Sequence, residues 1–292
     1  MFKKAIRIGR EWTAKAYNTC FNPAYGKVLM LHRIGPSEPG RKPCLAELNV
    51  SVESFQRYVD EKRDQYDFIS LDEVKDRMLD KTLRKRPFLC FTLDDGYRDN
   101  LTYGLPFFER NNIPFAVFLT VDFINRHPAF NFPFILERII KNQMVYDQCK
   151  AKILEWEYNG FEQKFKETFH ELLRDECYED LTMRWDEVSV LAQSPLCTIG
   201  AHSMTHCRLS NLSREELVYE LGESKKQIEM HLGKTVKYVS YPFGWTTDVN
   251  ETVFEVAKEV GYEMGFVSHG GPIRKHDCDL YGIKREMLVL NE

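Results

Sequence analysis

No apolar run in this 292-residue sequence reaches the ~18 residues that a membrane-spanning helix needs. No C-x-x-C pair occurs among the eight cysteines, at 20, 44, 90, 149, 177, 197, 207 and 278, which argues against a zinc ribbon. Neither sign of charge prevails: 40 basic residues face 44 acidic ones, a net charge of −4, so no global basic field points to nucleic acid. Internal repeats and low-complexity linkers are missing as well. The first residues, MFKKAIRIGREW, hold neither an apolar core of about 7–15 residues nor a small-residue cleavage site, so they do not read as a signal peptide. Cysteines without pairing spacings, Cys90 and Cys197 among them inside apolar runs, suit a reducing compartment. The expected location is therefore the cytoplasm.

What is present is an alternation of apolar strands and amphipathic helices, the pattern of an α/β architecture. Val28–His32, Tyr66–Ser70, Pro87–Leu93, Pro114–Thr120, Leu196–His202, Val236–Tyr241, Met264–Ser268 and Tyr281–Leu290 read as strands. Helices lie between most of them, with start signals at Ser70/Glu73, Ser213/Glu216 and Asp248/Glu251. Strands joined by single helices favour a parallel, barrel-like sheet. Residues from about 122 to 193 break the rhythm; Glu, Lys, Phe and Leu recur there at helical spacing, so they read as a helical insertion with a break near Asn159–Gly160. Residues 1–22 form a separate candidate element. Phe2, Ala5, Ile6, Gly9, Trp12, Ala16 and Cys20 fall on one helical face, with Lys3, Lys4, Arg7, Arg10 and Lys15 around it. Such a helix either packs on the domain or lies on an anionic membrane surface. The organisation expected is a helix over 1–22 and one domain over 23–292.

Three polar features fall at strand C-terminal ends, the rim where parallel α/β folds assemble their sites. Asp94-Asp95-Gly96 puts two carboxylates beside an apolar strand, which is costly unless cations or a metal compensate them. His202 and His206 are four residues apart, a spacing that suits a shared metal. The zincin glutamate is replaced by Ser203, so a base must come from elsewhere, and Cys207 is a further possible ligand. One Asp with two His makes the open three-ligand set of a catalytic metal, and the other Asp is left as a base. A metal in that set lowers the pKa of bound water and polarises an acyl carbonyl. At Tyr241-Pro242-Phe243-Gly244, a backbone N–H near Phe243 is placed to hold the oxyanion.

Thr92-Leu93-Asp94-Asp95-Gly96 resembles the T-F-D-D-G motif of the polysaccharide deacetylases, the NodB-homology family. His202-Ser203-Met204-Thr205-His206 resembles their H-S/T-x-x-H motif, and Tyr241–Gly244 their Y-P-Y/F-G motif. Leu29–Ile34 and Tyr97 look like the Y-H-R-I and D-D-G-Y segments of one branch. The likeness runs from residue 28 to about 290, interrupted by the insertion. It implies a distorted (β/α)-barrel of about seven strands and hydrolysis of an N-acetyl or other small acyl group on an amino sugar. It implies Asp94 as base and Asp95, His202 and His206 as ligands of one divalent ion, most often zinc, with cobalt, nickel or manganese as alternatives.

Two positions depart from the pattern. Ser240 stands where many members carry an Arg that pairs with the base; Arg285, in IKREML, resembles the late Arg of the branch that lacks the early one. The C-terminal motif whose His acts as general acid is missing, which leaves His32, or His269, for that role. Tyr97, Pro242 and Phe243 are the candidate substrate or oxyanion contacts. The expected substrate is an acetylated amino sugar, whether lipid-linked, nucleotide-linked or in an oligosaccharide. Residues 2–20 offer a peripheral contact to the inner face of a membrane. A catalytically inactive, glycan-binding relative on the same barrel is the alternative.

Overall fold

The computed structural model describes residues 24–36, 48–80, 86–127, 142–156, 158–169, 181–274 and 276–290, with 133, 136 and 140 singly between. The basic segment 1–22 lies outside them. Among the described residues the strands are β1 (Ala24–Leu31), β2 (Arg33–Gly35), β3 (Asn49–Ser51), β4 (Asp67–Phe68), β5 (Phe88–Leu93), β6 (Phe115–Leu119), β7 (Cys197–Ala201), β8 (Tyr238–Ser240), β9 (Met264–Gly270), β10 (Ile273–Arg274) and β11 (Ile283–Met287).

Seven of them close a parallel barrel in the order β1-β11-β9-β8-β7-β6-β5, and β5 returns to β1 from Gly26↔Phe88 to Leu31↔Leu93. This is the distorted (β/α)-barrel expected from the sequence. The closure is tight: a Cβ on Gly26 would lie 2.3 Å from the Phe88 ring. Distortion enters at two places. β4 pairs with the first half of β5 and β6 with the second half, while β10 runs antiparallel to the start of β1. The ribbon β2–β3 stands apart from the barrel.

Strand alternation sorts the side chains into two cores. On β5, Leu89, Phe91 and Leu93 face the outer helices, where Phe108 stacks on Phe115 at 4.2 Å. Phe88 and Cys90 face inward with Val28, Ala116, Phe118, Tyr238, Met264, Phe266 and Ile283. The inward row continues upward as Thr92 and Asp94 on β5, Ser240 on β8 and Arg285 on β11. The barrel thus has an apolar floor and a polar mouth, and the Arg285 guanidinium lies 5.7 Å above the Phe118 ring where they meet.

Helix starts follow the sequence at most points. Ser70 Oγ accepts the Glu73 N–H, and Ser213 with Glu216 makes a full capping box. At the last helix the expectation is corrected. The cap of Glu251–Glu259 is Asn250, whose side chain accepts the Val253 N–H at 3.1 Å. Asp248 is buried instead, accepting the Trp245 N–H and pairing with Arg208 Nε at 2.7 Å. An ion pair across the loop outcompetes the local cap.

Between β6 and β7 the described residues carry helices, at Val121–Ile124, Gln143–Leu154, Phe161–Phe169 and Trp185–Leu191. Gly160, at φ +90°, separates the second from the third. They share a third core of Phe123, Tyr146, Ile153 and Phe165, to which Tyr97 of the barrel contributes. No helix among the described residues is long and apolar enough to cross a membrane.

Candidate metal centre and active site

Asp94 and Arg285 close the barrel mouth as a buried pair. Nη1 and Nη2 of Arg285 donate to the two carboxylate oxygens at 2.8 and 2.7 Å. Nη2 also donates to Ser240 Oγ at 2.7 Å, and that hydroxyl donates to Asp94 Oδ2 at 3.1 Å. Thr92 Oγ1 and the Val267 carbonyl take further guanidinium protons. Burial pushes the Asp94 carboxyl up, but the Arg285 charge, its forked hydrogen bonds and His202 outweigh it, and the group ends well below the ordinary carboxylate range. Ser240 on β8 relays a hydrogen bond from the arginine that β11 supplies.

The neighbouring carboxylate is in the opposite condition. Asp95 Oδ1 lies 3.3 Å from His206 Nε2 and 3.5 Å from His202 Nε2. One atom from each of the three residues falls within 4.8 Å of the other two. Oδ1 is buried with no hydrogen-bond partner. Burial first, and the Asp94 charge second, push the Asp95 pKa up to about 8. The His202 Nδ1 lies 2.8 Å from the Ser240 carbonyl; a carbonyl only accepts, so Nδ1 carries the proton and Nε2 presents its lone pair to Asp95. His206 packs face to face with Phe123 at 5.5 Å and edge-on to Phe243 at 4.7 Å. Two imidazole nitrogens and an unpartnered carboxylate oxygen converging on one point fit a divalent cation with an open coordination position. Cys207 is not one of the three: its thiol turns toward Glu220 and Thr205, and burial pushes it well up, away from the thiolate a metal would need.

The backbone around the cluster is strained where the donors are aimed. Asp95, Ser203, His206 and Phe243 all have φ between +59° and +76°, a region that costs a non-glycine residue energy and persists only where surroundings enforce it. The enforcement is visible in the loop Ser203–His206. The Val121 and Asp122 N–H groups donate to the Ser203 and Met204 carbonyls at 3.2 and 2.8 Å. The Glu220 carboxylate accepts from the Met204 N–H, the Thr205 N–H and the Thr205 hydroxyl at 3.0, 3.1 and 2.8 Å. Tyr158 of the insertion donates to the same carboxylate at 2.7 Å.

His32 follows β1 and is half-buried at the mouth; Asn100 Nδ2 holds its carbonyl at 2.9 Å. Burial is the main cause that brings its pKa down to about 4, against the pull of Asp94 and with help from His202, Arg285 and Lys150. The resting ring is therefore neutral at pH 7. His269 accepts no part in this cluster; its Nδ1 bonds the Gly244 carbonyl at 2.8 Å and its ring stacks on Trp245. Phe243 forms the rim of the site, in a turn where the Gly244 N–H donates to the Pro242 carbonyl at 2.6 Å, and Pro242 is buried beneath it. Tyr97, 1% exposed, packs in the insertion core with the Arg33 guanidinium 5.3 Å over its ring, so it joins the insertion to the barrel next to Asp95.

Two residues near the site had no sequence signal, Glu220 and Lys150. Glu220 sits in a π-helical turn, Tyr219–Glu223, that shifts it off the regular helical face. Lys150 projects from the insertion helix Gln143–Leu154, 5.8 Å over the Phe243 ring. A cavity of about 370 Å³ lies beside His206, walled by Trp156, Tyr158 and Phe161 of the insertion and by Arg208, Leu212 and Glu216.

Comparison with known proteins agrees with this geometry. The family model described as polysaccharide deacetylase matches residues 81–265. YxkH of Bacillus subtilis (strain 168), named for the same family, is 20% identical over 285 residues, covering 97% of this chain and 78% of that protein. The deacetylase PplD of Streptococcus pyogenes, solved in complex with acetate, superposes with a TM-score of 0.65 at 15% identity, over 91% of this chain and 93% of that one. IcaB from Ammonifex degensii superposes with a TM-score of 0.62 at 18% identity, over 91% and 93%. At these identities the two solved structures show a shared fold.

Proposed function

The chain belongs to the polysaccharide deacetylase family, and from that premise we propose that it is a metal-dependent hydrolase that removes an N-acetyl, or other small acyl, group from an amino sugar in a glycan or glycan precursor. The observation that carries this reading is the buried, unpartnered Asp95 oxygen facing His202 and His206, one residue from a carboxylate already satisfied by Arg285. Asp95, His202 and His206 hold the cation, with zinc the first choice for two imidazoles and a carboxylate. When bound, the cation supplies Lewis-acid polarisation of the acyl carbonyl and a more acidic water.

Asp94 takes the proton of the attacking water. Arg285 and Ser240 keep it ionised and hold its carboxylate in plane. His32, neutral at rest and beside Asp94, passes that proton to the departing sugar nitrogen; amide plus water gives carboxylate and the sugar ammonium, both water protons ending on nitrogen. The Phe243 N–H stabilises the oxyanion, and Pro242 fixes the turn that presents it. The domain is taken as 23–292 with the insertion over 122–193, whose helices form one wall of the cavity beside His206. A cytoplasmic location and a membrane contact through residues 2–20 remain part of the same proposal, consistent with an intermediate of cell-surface glycan synthesis as substrate. PplD was solved with acetate, the product such a reaction releases. The glycan-binding alternative offers no reason for an intact donor set beside a paired base.

The test is acetate release from a chitooligosaccharide by zinc-loaded protein, with metal content measured on the same preparation. About one divalent ion per chain and acetate release that stops on chelation are expected. Protein that neither retains the ion nor releases acetate from any acetylated amino sugar overturns the reading.

A further inference from the structure

Asp94 and Asp95 match Arg285 and Lys150 in charge at the barrel mouth, and a divalent cation on Asp95 would leave an excess of positive charge there. Asp94 is neutralised by the forked pair with Arg285. Asp95 faces the cation that its two histidine neighbours would share. That leaves the ammonium of Lys150, which the insertion brings over the rim. It lies 5.8 Å from the centre of the Phe243 ring, and Phe243 in turn touches His206 edge-on at 4.7 Å. Tyr146, on the same helix, offers a second ring at 6.0 Å.

Among the described residues Lys150 makes no hydrogen bond and no ion pair; aromatic faces hold it, and the carboxylates of Asp95 and Asp147 attract it from beyond pairing distance. It is half-buried, and burial pushes its pKa down despite the attraction of Asp95 and of Asp147 one turn earlier on the helix. A sequestered cation that no carboxylate pairs directly is costly, and such groups are found paired. Beside a metal the cost rises, because a cation on Asp95 removes the nearest negative charge. An anionic ligand removes that cost; a neutral one does not.

We propose that Lys150 anchors an anionic oxygen group, a phosphate or a carboxylate, carried by the amino-sugar substrate near its acyl group. The substrate class becomes a charged acylated amino sugar rather than a neutral chain. This rests on the hydrolase reading for the identity of the sugar, but not for the anion site itself. Lys150 reaches the site only through the insertion, so the insertion is the specificity element of this barrel, and Phe243 positions the ammonium as well as the rim.

The experiment uses the full chain loaded with zinc, in an Asp94→Asn background that stops turnover. Calorimetry gives dissociation constants for N-acetylglucosamine 1-phosphate, an N-acetylated uronic acid and neutral N-acetylglucosamine. One of the two charged sugars is expected to bind roughly 10- to 100-fold tighter than the neutral one, the range of a charged hydrogen bond. Which of the two gains identifies phosphate or carboxylate. Adding Lys150→Met should collapse that preference, and Lys150→Arg should restore most of it. An equal preference with and without Lys150→Met, no preference at all, or an equal loss on all three sugars overturns the proposal; the last result would make Lys150 a general electrostatic or structural group. Acetate release by the Asp94-intact protein is measured in parallel. A Lys150-dependent preference without acetate release keeps the anion site and removes the hydrolase reading; acetate release without the preference does the reverse.

Discussion

Asp94 and Asp95 are consecutive, both buried, and carry the same side chain, yet one stands in a completed environment and the other in an open one. Asp94 has two guanidinium bonds and a serine hydroxyl; Asp95 has an oxygen with nothing bonded to it. The difference is geometric. Asp94 continues the inward row of β5 and meets β8 and β11 across the barrel. Asp95, turned to φ +76°, leaves that row and faces the loop after β7. The barrel alone completes the first carboxylate, whereas the second is left with an oxygen that nothing bonds. This difference is what the proposed division into base and ligand rests on.

The largest effect should come from erasing the first side of the contrast. Asp94→Asn should keep the metal and lose roughly 10²- to 10⁴-fold in rate, the usual worth of a general base. Rate and metal content on one preparation decide it, and loss of the metal instead would exchange the two roles. Arg285→Met should act on the same group by a different route. Without the guanidinium, the Asp94 pKa rises, so the acidic limb of the pH–rate profile should move upward.

The second side can be sharpened without any substrate. An unfolded aspartate titrates near ~3.9, while in the cation-free folded protein Asp95 is pushed up to about 8. Between those values the folded state keeps a proton that the unfolded chain has released, so stability should fall as pH rises from about 4 to about 8. Asp95→Asn should abolish that slope and stabilise the chelated protein at neutral pH, while losing zinc binding and its protection against heat. Thermal unfolding across this range, with chelator and with zinc, is the measurement. A slope unchanged in Asp95→Asn would mean that the oxygen has a partner after all.

The smallest effects should lie one layer out, where Glu220 ties the loop of the two histidines to the insertion. Glu220→Gln should weaken zinc affinity about 10- to 100-fold, as loss of an outer-layer partner does elsewhere. Tyr158→Phe removes one of the four bonds to that carboxylate and should cost only ~1 kcal/mol of stability. Competition with a zinc indicator, alongside a melting curve, separates the two; equal affinity in Glu220→Gln would leave Glu220 a packing residue.

The sequence was informative wherever a local rule operates over a few residues. An apolar run ending in Asp94-Asp95-Gly96 marks a strand end with charge on it, and His202 and His206 are near enough in the chain to imply a shared ligand. The eight expected strands each correspond to an observed one, because burial of a β-strand leaves a continuous apolar run. Short pieces without such a run went unseen: β2, β3 and β10 have only two or three residues each. The cap at Asp248 was misplaced because capping rules compare neighbours in sequence, and Arg208 is 40 residues away. Tyr97 carried a motif but not its burial, which depends on an insertion that packs over it.

By itself, then, the sequence determined that alternating strands and helices would bury two faces of a parallel sheet, and which four residues would meet at its rim. Only the tertiary structure decided their partners and their proton affinities. Arg285 reaches Asp94 across 191 positions, Ser240 joins them from a third strand, and the insertion sets Tyr158 against Glu220 and Lys150 above Phe243. These contacts depend on barrel closure and on the backbone turns of Ser203, His206 and Phe243, and neither follows from local propensity. Electrostatic energy falls off with distance in space, not along the chain, so the partners that set a carboxylate's proton affinity exist only once the barrel has closed.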